Sequence, residues 1–577
     1  MDLPRFDRRF FDSGESLSVI GSGALGGKAQ GLLSARDFLA ARIDPRAFAR
    51  MRVEIPTMAV IATDAFDAFL ERNRLRDLGA SGEPDHRLAH AFQRAELPAE
   101  LVGDLWGLIR QVHTPLAIRS SSLLEDALKH PFAGVYATKM IPNNQFEQET
   151  RFRKLVEAIK LVYASTFFES ARAYIEATGR AAHEEKMAVI VQEVVGSRHG
   201  PRFYPDVAGV ARSYNFYPSG HARPEQGVAS LALGLGKTIV DGGLAWTYSP
   251  AYPHVAPPYA SLVELLEHTQ TEFWAVNMGT PPAYDPIAET EYLVRGSLAE
   301  AEADETLRHV ASTYDPRSDR IAIGTSAAGP RLLNFAPLLV HDEFPLNALL
   351  KALLAASEEA TQGKVEIEFA LAFPPEPEAA RFGFLQVRPM AVSSQPVEIA
   401  PEELADGAAL VVSLCAMGNG VVADVRDVVF VKPEAFDAKW TREIASEIEA
   451  INRKLASAHV PYLLIGFGRW GSSDPWLGIP VSWPQISGAR VIVEATLPNM
   501  NVDMSQGAHF FHNLISFEVP YLSVPRQAQR GIHWRGLAEL EAVEETRFVR
   551  HARSVEPLLV KVDGRSGRGV VLRAGGP

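Results

Sequence analysis

Short apolar runs of strand length recur along the chain, each set apart by longer stretches whose apolar residues keep helical spacing. KMAVIVQEVV (186–195) and RFGFLQVRPMAV (381–392) are two of the runs, and FRKLVEAIKLVYASTFFESARAYIEA (152–177) is one of the helical stretches. This interleaving predicts an α/β or α+β chain with buried sheets. At 577 residues, and roughly 100 to 200 residues per domain, about three to five folding units are expected. A net charge of −13 argues against a surface built to neutralise a nucleic-acid backbone. No uncharged apolar run reaches the length a membrane span needs. The start MDLPRFDRRFF lacks the apolar core of a signal peptide, and the single cysteine, Cys415, suits a reducing compartment. The expectation is a cytoplasmic protein with neither nucleic acid nor membrane as partner.

Proline and polar residues cluster at SPAYPHVAPPYA (249–260), FPPEPEAAR (373–381) and SSQPVEIAPEE (393–403). The third reads as a linker, dividing a domain over 1–392 from a smaller α/β domain over 404–530. In the latter, GAALVVSL, DVVFVKP, PYLLIGFG and ARVIVEAT read as strands and TREIASEIEAINRKLASA (441–458) as an amphipathic helix. The tail, 531–577, reads as a helix in GLAELEAVEETRFVRHA (536–552) followed by a hairpin around VDG in 558–572.

Three stretches carry chemistry. In VIGSGALGGKAQGLLSA (19–35), glycines precede Lys28 and a helical pattern, a combination that can cradle phosphate or simply cap a helix. In LAIRSSSLLEDALKHPFAGVYATKM (116–140), an apolar strand runs into Arg119, three serines, Glu125 and Asp126, and the turn Phe132-Ala133-Gly134. The guanidinium fork suits phosphate oxygens, while a serine followed by Glu125 also resembles a helix N-cap. VEIEFALAF (365–373) and FGFLQVRPM (382–390) read as neighbouring strands. Residues two apart share a face, so Glu366 with Glu368, and Gln386 with Arg388, can converge as hard oxygen ligands beside a cation. Standing alone, the pair also fits a solvent-facing polar edge.

In order and residue types, these segments resemble the nucleotide-binding domain of phosphoenolpyruvate synthase and pyruvate phosphate dikinase, an ATP-grasp fold. The matched motifs are Gly26-Gly27-Lys28; Arg119-Ser120-Ser121 with Glu125-Asp126 and Phe132-Ala133-Gly134; Ile367-Glu368-Phe369-Ala370; and Gln386-Val387-Arg388-Pro389. They span about residues 19–392. The resemblance implies ATP and Mg²⁺ as cofactors. Lys28, Arg119 and Arg388 would bind phosphates, Gly134 and Thr138 would belong to a phosphate-covering loop, and Gln192 and Glu193 would lie beside the adenine. Glu368 and Gln386 would hold magnesium. One departure is Lys237 in GLGKTIVDGG (234–243), where the family usually has an acidic residue.

Full-length members add a swivelling domain, whose histidine carries a phosphoryl group, and a pyruvate-binding barrel. Too little chain follows Val524 for a barrel of about 250 residues, so none is expected. QGAHFFHNLISFEVPYLSV (506–524) can be laid over the family's histidine segment: His509 falls eleven residues before Pro520, as the family histidine does before its proline. His509 and Arg119 are therefore the implied catalytic residues, with His512 a rival one helical turn away. GFGRWGSSDPWLGIPVSW (466–483) either clamps an acceptor through Arg469, Trp470 and Trp476 or is a rigid loop packed by its own tryptophans. The leading expectation is an ATP-dependent phosphotransferase of the dikinase type acting on a small-molecule or protein acceptor. The alternative is an ATP-binding regulatory module without turnover.

Overall fold

The apolar run at the start forms β1 (Leu17–Ile20) in the computed structural model of the chain. The structure describes residues 4–6, 16–123, 125, 134–177, 185–216, 218, 221–255, 262–267, 269–373, 379–390, 392, 397–404, 409–472, 474–497, 510, 514, 519–525, 531–564 and 566–573. It divides into two compact units. The first holds Met1–Ser213, Gln226–Ile239 and Leu244–Pro389; the second holds Tyr214–Glu225, Val240–Gly243 and Met390–Pro577.

In the first unit, β1 leads to helix α1 (Gly26–Arg42), whose Ala29, Leu32, Ala35 and Phe38 form one buried stripe. The strands β2 (Met51–Glu54), β3 (Met58–Ile61), β4 (Leu116–Ser122), β5 (Thr138–Ile141) and β6 (Met187–Glu193) follow. One five-stranded sheet runs β1-β3-β6-β4-β5. A six-stranded sheet contains β7 (Val207–Arg212), β8 (Lys364–Ala372), β9 (Ala380–Met390) and β2, adjacent in that order. The two strands expected to neighbour one another, β8 and β9, do so. β7 and β8 run antiparallel with Arg212 opposite Glu366. The helical stretch 152–177 is two helices, Gln148–Ser165 and Glu169–Ala177.

The second unit is built on a nine-stranded sheet. Its path begins with Ala409–Ser413 and ends with Cys415–Met417, two strands parted in the chain only by Leu414, so the sheet curls back on itself. Closure leaves fewer backbone edges unpaired, and a core including Val428, Ile465, Val493, Leu522 and Val560 fills it. The helix Thr441–Ser457 forms as the sequence predicts. The tail does not. Helix survives only over Trp534–Ala538, after which Glu541–Glu545 and Val549–Asp563 are strands. Pairing with Gly420–Val431 decides the matter: Val549 to Arg553 lie opposite Val431 to Asp427, and these ladder contacts override a weak helical spacing. The hairpin around Asp563 is present, with Val560 opposite Val571.

Candidate functional site

Four consecutive residues of β4 make four different connections. Arg119 gives Nη2 to Gln386 Oε1 at 2.8 Å and lies 3.3 Å from Glu368 Oε2, while its Nη1 reaches the Leu385 carbonyl at 2.8 Å and Gln192 Oε1 at 3.4 Å. Ser120, on the opposite face, accepts from Lys28 Nζ at 3.1 Å and donates to Glu125 Oε1 at 2.9 Å. Ser121 Oγ donates to the Leu25 carbonyl and accepts from the Ala29 amide, fastening the start of α1. Ser122 and Glu125 exchange amide-to-side-chain bonds at 2.8 and 3.1 Å, and the residues that would continue a capped helix, 126–133, lie outside the described ones.

Gly26 makes this docking possible. Its φ is +75°, and a Cβ there would sit 1.8 Å from the Ser121 carbonyl oxygen. α1 therefore meets β4 closely enough for Lys28 Nζ to reach Glu125 Oε1 at 2.6 Å.

Beyond Arg119 the charges alternate. Glu366, 1% exposed, is held from two sides by Arg212 and Arg388, themselves 1% and 2% exposed. Arg388 lies 3.9 Å from Glu368, which meets Arg119. Lys28, Arg119, Arg212 and Arg388 thus stand against three carboxylates, Glu125, Glu366 and Glu368. Removing a fully buried member of such an alternation strands the charge it faced. Glu368, Arg119 and Lys28 are its more open members, with roughly an eighth to a seventh of each side chain accessible.

The structure therefore brings Arg119, Gln192, Glu368, Gln386 and Arg388 into one cluster and ties Lys28 to the same strand through Ser120. Thr138 lies opposite Arg119 on the neighbouring strand, and its amide donates to Glu289 Oε1 at 2.6 Å. Gly134 has a positive φ of 64°. Glu193 points the other way from Gln192. It accepts from Thr114 Oγ1 and lines a cavity of about 660 Å³ with Leu39, Phe48, Ile55 and Arg381, a wall that includes none of Lys28, Arg119, Glu368 or Arg388. His509 and His512 lie outside the described residues. In the second unit Arg469 is buried against the Gly242 and Gly243 carbonyls, and Trp470 Nε1 donates to Val493 O. Trp476 is 69% exposed.

Sequence reasoning passed over two members of this neighbourhood. Arg212 is an arginine ending an apolar strand, the same signal that marked Arg119. Glu185 carries no such signal; burial, aided by the charge of Glu125, pushes its carboxyl up to about 7.

The first unit thus carries a sheet-borne cluster of cations and hard oxygens, with a lysine at a helix start. Residues 22–407 match the family model described as pyruvate phosphate dikinase, AMP/ATP-binding domain, and the chain belongs to that family. An uncharacterized phosphotransferase of Bacillus subtilis (strain 168), YvkC, is 28% identical over 190 residues. That alignment takes in 33% of this chain and 20% of the relative, so the matched stretch spans about a fifth of the relative's length. The chain thus carries an ATP-binding domain of a phosphotransferase family. Among the described residues, no helix is long and apolar enough to cross a membrane.

Proposed function

We propose that the chain is an ATP-dependent phosphotransferase of the dikinase type, which binds Mg–ATP at the Arg119 cluster and passes a phosphoryl group through His509 to a small-molecule or protein acceptor. The observation that carries the first half is the meeting of Arg119, Glu368, Gln386 and Arg388, which come from two different sheets. Nothing in strand stability alone requires that charge alternation.

The residues fit a magnesium ion. Glu368 Oε2 and Gln386 Oε1 both lie within 3.3 Å of one guanidinium nitrogen, so two hard oxygens already face a single cationic point. Phosphate oxygens and water would complete the shell of such an ion. Bound there, magnesium would supply charge neutralisation at the transferring phosphoryl group. The chain's own part is positional. Arg119 and Arg388 hold the phosphates, Lys28 adds a mobile charge from the helix start, and Ser121 keeps that helix on the strand. In the transfer, the imidazole nitrogen of His509 forms a bond to the β-phosphorus as the bond from that phosphorus to the AMP oxygen breaks, and water then cleaves off the γ-phosphoryl group as phosphate, leaving one phosphoryl group on the histidine.

The test is incubation with ATP labelled at the β- or γ-phosphate. Acid-labile label from the β-phosphate on histidine, absent in His509→Ala, is the expected result, with AMP and γ-labelled phosphate as products. Label on no histidine defeats the relay. ADP alone makes the chain a simple kinase, and saturable ATP binding with unchanged nucleotide leaves only a binding module. Loss of binding in Arg119→Ala is expected in every case; retained binding removes the cluster from the site.

A further inference from the structure

A second cavity in the first unit, about 1160 Å³, shares no lining residue with the Arg119 cluster. It opens at the far ends of β7 and β8: Asp206 immediately precedes β7, and Phe373 immediately follows β8 and donates its amide to Asp206 Oδ2 at 2.8 Å.

Among the described residues its charge is unbalanced. Two of its acidic residues are already met from outside the wall, Glu302 by Arg331 and Asp304 by the Tyr204 hydroxyl and by Arg202, which Glu300 shares. Asp206 is deeply buried, and desolvation pushes its carboxyl up to about 7, so it contributes little negative charge in mildly acidic solution. Glu305 remains. Against it stand three arginines. Arg50 gives a hydrogen bond to the Glu343 carbonyl oxygen and lies over the Phe344 ring; among the described residues Arg198 reaches only the Gly200 carbonyl. Arg308 meets no carboxylate among the described residues. His199 adds a polar point: burial holds its pKa low, and its buried Nε2 has no hydrogen-bond partner among the described residues. Phe344 and Phe373, with ring centroids 4.8 Å apart, give one wall an apolar face.

We propose that this cavity is a second ligand site, for a small molecule bearing several anionic oxygens, gripped by Arg198 and Arg308 beside His199 in the wall. The shared chemistry is that of a polycarboxylate or a phosphate compound.

Calorimetric titration of the full chain, in magnesium-free buffer, with citrate in one arm and inorganic pyrophosphate in the other, tests it. Saturable binding of at least one probe is expected, with Kd below about 1 mM. The double variant Arg198→Ala/Arg308→Ala should weaken it by about tenfold or more, and His199→Leu should weaken it as well. Both arginines are exposed, so their truncation should leave the fold and Mg–ATP binding intact. Binding should persist in Arg119→Ala, which makes the result independent of the nucleotide reading. The arm that binds names the chemistry. No saturable binding of either probe overturns the proposal, as does binding that survives the double variant or disappears in Arg119→Ala.

Discussion

Glu366→Gln isolates the physics of the charge alternation. The glutamine keeps the shape but leaves Arg212 and Arg388, both almost wholly buried, facing a neutral amide. Removing one partner of a buried ion pair costs about 3–5 kcal/mol, chiefly because the remaining charge is stranded. Here one carboxylate serves two guanidiniums, so the loss should reach at least the upper part of that range. Glu359→Gln is the control: its pair with Arg42 is more than half exposed on both sides, where such contacts contribute only about 0–1 kcal/mol. Because a two-unit chain need not unfold in one step, the readout is hydrogen exchange of the amides in 207–212 and 364–372 across a urea series. Exchange there should report a large loss in Glu366→Gln and almost none in Glu359→Gln. Magnesium-free ATP should recover part of the loss in Glu366→Gln, since an anion can take the place of the missing carboxylate between the arginines. Equal small shifts in the two variants would refute the reasoning, showing that the cluster is solvated.

Gly26→Ala should lower the first unit's stability and abolish ATP binding together, because its Cβ meets the Ser121 carbonyl at 1.8 Å and α1 must lift from β4; a variant with wild-type nucleotide affinity would contradict this. In the second unit, burial raises the Glu494 carboxyl from its ordinary 4.5 to about 7, with Tyr521 donating to it and Arg469 opposing the shift. A raised folded pKa favours the protonated state, so the stability it confers is full below about 4.5, falls as pH rises to about 7, and then levels off. The total amounts to about 3 kcal/mol. Thermal melting from pH 4 to 8 should show that slope for the wild type and a flatter profile for Glu494→Gln; identical slopes would discard the assignment.

What the sequence displayed was mostly local. Four ordered motifs, from Gly26 to Arg388, marked the elements that the structure brings together, and period-two spacing placed Glu366 with Glu368 and Gln386 with Arg388 on shared faces. Less visible was whatever depended on register between distant strands. Arg212 joins Glu366 only because β7 pairs with β8 across a separation of 154 residues, and no local pattern states that pairing. The tail failed for the same reason: its helical spacing was local, while its strand pairing with Gly420–Val431 was not. Gly26 shows a subtler gap. A glycine before a lysine suggested backbone approach to phosphate, but the neighbour that its missing Cβ admits is Ser121 of the same chain.

The same distant pairings bear on how a nucleotide would enter. Lys28 is held by Glu125, Arg119 by Glu368, and Arg388 by Glu366. Under the proposed reading, phosphate oxygens reach these cations only by displacing carboxylates, and a displaced Glu368 faces the incoming negative charge unless a cation meets it. At about 4 Å, two like charges repel by about 4 kcal/mol at the effective dielectric of a partly buried site. Metal and triphosphate should therefore bind far more tightly together than either does alone, because each removes the partner that would repel the other.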